Sequence, residues 1–169
     1  MQMAGLQEDE GVHPLVAHSF VNAYAEGWAE YGAALAGEMG MYQEPAEKFG
    51  KLIMDSFLSC RLVVDTGMNA LGWSLEQARD YMRANAFISE AEILTETIRY
   101  SCDIPAQSLA YKLGDVKMME MRNAMSDRLG SRFDIRDFHQ IVLSEGALPL
   151  SMVEANVRRR TEELLETGV

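Results

Sequence analysis

The sequence has few of the residues from which metal sites and disulfide networks are built. It contains three histidines and two cysteines among its 169 residues. Cys60 and Cys102 lie in apolar helical patterns, which predicts buried free thiols rather than a dense disulfide framework. No His-Glu-x-x-His motif occurs, and no cysteine pair has the spacing of zinc ligands. The sequence therefore lacks a complete zinc-binding motif of its own.

Long hydrophobic runs and an excess of positive charge are also missing. No stretch of about 18 apolar residues is present, so no transmembrane helix is predicted. Residues 1–14 lack the basic and apolar regions of a signal peptide. Lys and Arg total 15 against 26 Asp and Glu, and the net charge of −11 repels phosphate backbones and anionic membrane surfaces. We therefore expect neither a nucleic acid nor a membrane as a partner.

Helical patterns fill most of the chain, and no segment has the character of a strand. The sequence is 48% hydrophobic, and its length suits one domain, residues 1–169, with a real core. Apolar spacing, prolines, glycines and capping residues predict helices over 15–39, 45–66, 74–85, 89–102, 105–129, 134–145 and from 151 onwards. Capping boxes are predicted at Ser74, Ser89 and Ser151. We expect an all-α helical bundle.

Two carboxylates stand out in the first long helical pattern, which is rich in small residues. Glu26 and Glu30 are four residues apart, so they share one helix face. If that face is buried, the two carboxylates need a cation, a proton or hydrogen-bond donors. If it is solvated, they form an ordinary acidic surface, which periodicity alone favours. Both interpretations remain open from the residues themselves.

Four segments carry a more specific pattern. They are AEGWAEY at 25–31, RLVVDTGMNALGWSLEQARDYM at 61–82, RYSCDIPAQSLAYKLG at 99–114 and GSRFDIRDFHQIVLSEGALPLSMVE at 130–154. In this order and spacing they resemble the large bacterial family called domain of unknown function 885. Members of that family look like zinc metallopeptidases of the carboxypeptidase Taq and angiotensin-converting-enzyme group. The resemblance implies a helical, zinc-peptidase-like fold.

The resemblance also implies a zinc site in a complete family member. There, a His-Glu-x-x-Pro-Gly-His-His motif just upstream supplies two histidine ligands and the general-base glutamate. The glutamate of the Glu-Gly-Trp motif looks like the third ligand, and that residue is Glu26 here. A zinc peptidase needs three protein ligands and one open position for the activated water. Because the histidine motif is absent, we expect a C-terminal fragment of a larger protein that binds no zinc tightly and is inactive alone.

Further site residues follow from the family's third segment. Tyr111, and less strongly Tyr100, match tyrosines whose phenol could donate a hydrogen bond to the oxyanion of a tetrahedral intermediate. Arg99, Gln107 and Lys112 could bind a peptide carbonyl or a terminal carboxylate. Structural ion pairs or helix caps are an equally good interpretation of Arg99 and Lys112.

The sequence departs from the family pattern at several of these positions. Asn69 stands where the family commonly has histidine, Glu30 and Ala33 replace usual residues of the first segment, and Ala106 replaces a glycine. His139 is expected to be a structural, hydrogen-bonded histidine rather than a ligand. These changes are consistent with an altered substrate or with relaxed selection on catalysis.

Two functions follow from the sequence. The first is the distal half of a zinc-dependent peptidase, whose complete form hydrolyses a peptide substrate with a zinc-activated water. The alternative is a stand-alone helical interaction or structural module, as a homo-oligomer. The residues reveal neither the substrate, nor endopeptidase or exopeptidase action, nor the localisation.

Overall fold

The computed structural model describes residues 8 and 13–167, and these residues are predominantly helical. The α-helices are α1 Pro14–His18, α2 Asn22–Glu38, α3 Pro45–Ala70, α4 Leu75–Asn85, α5 Glu90–Ile98, α6 Leu109–Leu129, α7 Ile135–Ser144 and α8 Leu150–Glu166. A π-helix, Arg99–Asp103, follows α5, and a 3-10 turn, Gly130–Arg132, follows α6. No strand occurs in this part of the chain, which confirms the all-α prediction. None of its helices is long and apolar enough to cross a membrane.

The chain divides into two compact units. Unit 1 consists of Met1–Ala29 and Gly114–Val169, and unit 2 of Glu30–Leu113. The boundaries therefore fall inside α2 and α6. Each unit has its own set of packed helices and buried apolar side chains.

In unit 2, α4 packs on α3 and α5, and the π-helix contacts both α3 and α5. The centre of this unit is a cluster of Val64, Ala78, Met82, Ile93 and Tyr100, which are all at most 2% exposed. Full burial of a large apolar side chain contributes about 1.5–3 kcal/mol, so this cluster fixes the end of α5 and the π-helix against α3.

In unit 1, α7 packs against α8. Phe138 and Val142 of α7 and Val153 and Val157 of α8 are at most 4% exposed. Three methionines of α6, at 118, 121 and 125, are buried as well. Their flexible side chains fill gaps between packed helices.

Local hydrogen bonds explain where several helices begin and end. At α4, Gln77 N–H donates to Ser74 Oγ over 3.2 Å, and the Gln77 side chain accepts from Ser74 N–H over 2.8 Å. The same reciprocal box joins Ser89 and Glu92 at α5. Both predicted capping boxes are confirmed. Asp134 also caps α7 as predicted, by accepting from Arg136 N–H over 2.8 Å.

The predicted capping box at Ser151 is wrong. Helix α8 begins at Leu150 after Pro149, so Ser151 already lies inside the first turn. A box that the sequence did not predict occurs at α3 instead, where the Glu47 carboxylate accepts from Gln43 and Glu44 N–H over 2.8 and 2.9 Å.

Three predicted helix boundaries also differ. The pattern over 15–39 is interrupted because Ser19 has extended backbone and its hydroxyl bonds to Val16 and Ala147 carbonyls. Helix α3 continues past Gly67 to Ala70. A Cβ at Gly67 would lie 2.5 Å from the Trp73 ring, so this glycine allows close packing and does not end the helix. Helix α6 begins at Leu109 rather than near residue 105, because Ala106 has φ +68°.

The two cysteines differ in environment. Cys60 is a buried free thiol as predicted, and burial raises its pKa. Cys102 is free but exposed, so the prediction of burial is wrong there. It lies in the π-helix, whose extra residue per turn shifts side chains away from the faces that α-helical spacing indicates.

Candidate functional site

Five of the six predicted site residues lie in unit 2. Arg99 and Tyr100 belong to the π-helix, Gln107 is half-buried in the segment that follows it, and Tyr111 and Lys112 are in the first turn of α6. Glu26, the predicted zinc ligand, belongs to unit 1.

The centre of the unit 2 site is Arg61 of α3, which the sequence analysis did not single out. Its side chain is almost inaccessible, with 5% of the residue exposed. The guanidinium carbon lies 4.6 Å from the ring centroid of Tyr111, 5.3 Å from that of Tyr100 and 5.4 Å from that of Phe57. Both predicted catalytic tyrosines therefore contact one buried cation.

The charge of Arg61 is compensated only in part by these rings. Burying an ion costs several kcal/mol even after relaxation, whereas a cation–π contact contributes about 0.5–2 kcal/mol. The rings also accept none of the guanidinium's N–H bonds. Among residues 8 and 13–167, no side chain forms an ion pair with Arg61, and its buried Nε has no hydrogen-bond acceptor.

Tyr100 and Arg99 share one carboxylate. The Tyr100 hydroxyl donates to one oxygen of Glu96 and the Arg99 guanidinium donates to the other. Burial raises the pKa of Tyr100, and the hydrogen bond to Glu96 raises it further, so the phenol stays protonated at neutral pH. Its proton is already donated within the protein. Tyr111, which is only partly buried, is the phenol better able to donate to a bound molecule.

A second buried charge, Asp65, holds the segment that precedes α6. Asp65 is 1% exposed, and its carboxylate accepts from Ser108 Oγ over 2.6 Å and from Ala106 N–H over 3.0 and 3.1 Å. Asn69 Nδ2 donates both to Asp65 over 2.9 Å and to the Tyr100 carbonyl over 3.0 Å. Asn69 thus ties the π-helix to α3 through its amide, which is a positioning role that needs no proton transfer.

This arrangement strains the backbone of Ala106. Its φ of +68° lies in the left-handed region, which side chains with a Cβ rarely adopt. The hydrogen bonds from its N–H to Asp65 hold it there. The family resemblance places glycine at this position, and the observed φ gives the physical reason for that preference.

Lys112 lies in a chain of opposite charges. Its Nζ is 3.2 Å from Asp55 Oδ1, and Lys51 Nζ is 3.2 Å from the same oxygen and 3.3 Å from Glu30 Oε2. Burial raises the pKa of Asp55, but hydrogen bonds from Lys51 and Lys112 outweigh that and leave the pKa below its usual value. Glu30 is therefore a half-buried ion-pair partner rather than part of a freely solvated acidic face.

Glu26 lies half-buried on α2 beside a close helix contact in unit 1. The next residue, Gly27, approaches Gly114 of α6 so closely that a Cβ on it would be 2.5 Å from the Gly114 backbone. Trp28 then packs edge-on against His139, with ring centroids 5.5 Å apart. Burial, together with the charge of Arg122, lowers the pKa of His139, which suits a neutral, structural histidine.

The described residues do not make a zinc site by themselves. No group of three possible ligands occurs among residues 8 and 13–167, and one carboxylate is too few for a tight site, which uses three or four protein ligands. His13 and His18 stand at opposite ends of α1, and His13 Nδ1 accepts from Leu15 N–H over 3.1 Å.

Several contacts join the four sequence segments, among them the close approach of Gly27 of the first to Gly114 of the third. Arg61 and Asp65 of the second segment contact the third segment, and Trp28 of the first contacts His139 of the fourth. Arg61 and Asp65 were missed because an arginine and an aspartate in a helical pattern are ordinarily surface residues. The available signal was their position within an otherwise apolar stretch, next to Cys60, Val63 and Val64.

Comparison with known proteins agrees with this arrangement of segments. A solved structure described as that of a putative lipoprotein from Colwellia psychrerythraea is 38% identical over 96% of this chain, with a TM-score of 0.89. This chain spans only 28% of that protein's length. No curated protein matches significantly. The family model described as bacterial protein of unknown function (DUF885) matches residues 1–157, and the chain therefore belongs to the DUF885 family.

Proposed function

We propose that this chain forms the substrate-facing distal part of a zinc-dependent peptidase. In a complete family member, zinc would supply an activated water, and Glu26 would be its third ligand. The chain's own contribution in unit 2 would be to bind the peptide and stabilise charge on its carbonyl oxygen. Without the histidine motif, the chain alone would be inactive.

One observation carries this proposal. The ring centroid of Tyr111 lies 4.6 Å from the guanidinium carbon of the buried Arg61, so this phenol stands beside a positive charge in an acidic protein. A hydroxyl fixed beside positive charge suits an oxygen that becomes negative during the reaction, because the donor needs no reorganisation. Tyr100, Arg99 and Lys112 already bond to acids of the protein, so Tyr111 is the residue of this set best suited to donate to substrate.

Two tyrosine variants test the hydrolytic role in a complete family member that carries this segment. Removing an oxyanion donor lowers kcat about 10²–10³-fold, so Tyr111→Phe is expected to lose activity on that scale. Tyr100→Phe removes the same atom from the other ring beside Arg61, but that hydroxyl donates to Glu96, so the loss of kcat is expected to be much smaller. Equal losses in both variants would contradict the assignment of Tyr111.

Two glutamate variants test the metal role by calorimetric zinc titration of the same complete protein. Glu26→Ala is expected to abolish tight zinc binding and activity while helix content is retained. Glu30→Ala is the matched control, because Glu30 lies one turn further along the same helix and pairs with Lys51. Wild-type zinc affinity in Glu26→Ala, or tight binding of one zinc ion by this 169-residue chain, would refute the proposal.

A second function is favoured by the exposed side chains of α3. Phe49 and Leu52 are 58% and 64% exposed and lie three residues apart, so they share one face of the helix. Clustered exposed apolar residues are typical of surfaces that associate with another protein. An interaction module that forms a homo-oligomer through this face is therefore the alternative.

A further inference from the structure

We propose that the buried guanidinium of Arg61 binds a carboxylate group of a ligand. This proposal rests on the proposed function only for the source of the carboxylate, which would be a peptide substrate. The site itself depends only on contacts within unit 2. The family resemblance implied no binding role for any residue of α3.

Arg61 has hydrogen-bond donors without acceptors. The residue is 95% buried, yet within the described part of the chain its Nε has no acceptor and its charge has no acidic partner. Three aromatic rings contact the guanidinium. Ring faces stabilise the cation but leave its N–H groups available at the guanidinium edge.

The acidic side chains around this position already have partners. Glu96 accepts from Tyr100 and Arg99, and Asp65 accepts from Ser108, Asn69 and a backbone N–H. Asp55 lies between two lysines. The protein has 26 acidic residues against 15 basic ones, so a buried arginine without an acid is not explained by a shortage of carboxylates.

The shape of the guanidinium and the charge of the chain favour one kind of anion. A guanidinium presents parallel N–H groups that match the two oxygens of a carboxylate. A phosphate carries about 1.5 to 2 negative charges and is disfavoured by the strongly acidic chain. Two of the three rings beside the cation, those of Phe57 and Tyr111, are only partly buried.

A peptide can present a carboxylate in two ways, at its C-terminus or on an acidic side chain. Three probes separate these sources. Acetyl-dialanine carries only the terminal carboxylate, acetyl-aspartyl-alanine amide carries only the side-chain carboxylate, and acetyl-dialanine amide carries none. The readout is the Nε–Hε signal of Arg61 in the nitrogen-15 spectrum of the 169-residue chain, assigned through its own side-chain carbons.

We expect a saturable shift of the Arg61 signal with at least one carboxylate probe and none with the amide. The probe that binds identifies the source. Arg61→Lys keeps the charge but loses the paired donors. Followed through the backbone N–H signal of Tyr111, which contacts residue 61, its binding is expected to be about tenfold weaker or more. Arg83→Lys is the matched control, since Arg83 is an arginine already paired with Glu76, Asp80 and Glu90, and its loss is expected to leave binding unchanged.

The wild-type spectrum alone can overturn the proposal. An equal shift with the amide, or no saturable shift with either carboxylate probe up to its solubility limit, would do so even if the Arg61 variants fail to fold. Binding here needs no zinc, so the outcome is independent of the zinc titration that tests the peptidase function. Carboxylate binding with a negative zinc titration would leave Arg61 as a ligand site in a protein of another activity.

Discussion

The contact between Gly27 and Gly114 allows a stringent test of helix packing in unit 1. In Gly27→Ala, the new Cβ would lie 2.5 Å from both the Cα and the carbonyl carbon of Gly114. Non-bonded carbon atoms are normally about 3.5–4.0 Å apart, so the shortfall is about 1 Å or more. The obstructing atoms are backbone and cannot rotate away. The two helices must therefore separate locally.

The size of the effect follows from two opposing terms. Replacing glycine by alanine inside a helix stabilises it by about 0.8–1 kcal/mol. Overpacking a tight contact costs about 1–3 kcal/mol, occasionally more. Gly32 lies on the same helix with no atom within 4 Å of its would-be Cβ, so Gly32→Ala should gain the first term without the second. The difference between the two variants isolates the packing cost.

Urea unfolding monitored by circular dichroism measures this difference. We expect Gly32→Ala to be at least as stable as the wild type and Gly27→Ala to be about 1–3 kcal/mol less stable than Gly32→Ala. A loss of 1 kcal/mol corresponds to about 2–4 °C in Tm for a chain of this size. If Gly27→Ala and Gly32→Ala have the same free energy of unfolding, the close approach of Gly27 and Gly114 is wrong.

Three further outcomes are expected. Ala106→Gly should raise the free energy of unfolding by up to about 1 kcal/mol. Relief of left-handed backbone strain, about 1–2 kcal/mol, exceeds the cost of the added entropy of the unfolded chain, about 0.4–1 kcal/mol. A lower free energy of unfolding in a denaturant titration would contradict this. Asp55→Asn should flatten the acid side of the curve of folding stability against pH. In the wild type, the lowered pKa of Asp55 stabilises the fold at pH values above the pKa of the unfolded chain, near 3.8. That stabilisation is lost as the pH falls through the pKa of the folded protein. Unchanged acid unfolding would refute it. The exposed face with Phe49 and Leu52 should give a dimer or a dye-binding monomer, and light scattering showing a monomer without dye binding would count against it.

Local chemistry made much of the helical structure predictable. The boxes at Ser74 and Ser89 depend on residues three apart, and Gly40 and Gly130, with φ of +74° and +56°, end helices as expected. The failures occurred where contacts outside the local pattern decide. The start of α6 depends on Ala106, whose left-handed backbone is held by Asp65, and Gly67 lies inside α3 with Trp73 packed against it.

The candidate site was predictable to the extent that the family resemblance implies a role for a residue. The resemblance identified the two tyrosines and three polar residues that lie in unit 2. It did not reveal Arg61 or Asp65, because the importance of both comes from burial and from partners about 40 residues or more away, such as Ser108 and Tyr111. Pattern analysis along a helix cannot supply such partners.

The unequal environments of the two cysteines have a practical consequence. Cys102 is exposed in the π-helix, whereas Cys60 is buried and its pKa is raised, so a thiol reagent at neutral pH should modify Cys102 first. A fluorophore or spin label can thus be attached to the native sequence, two residues from Tyr100, without any substitution. Such a label would report, in real time, on motions of the π-helix as small molecules are added.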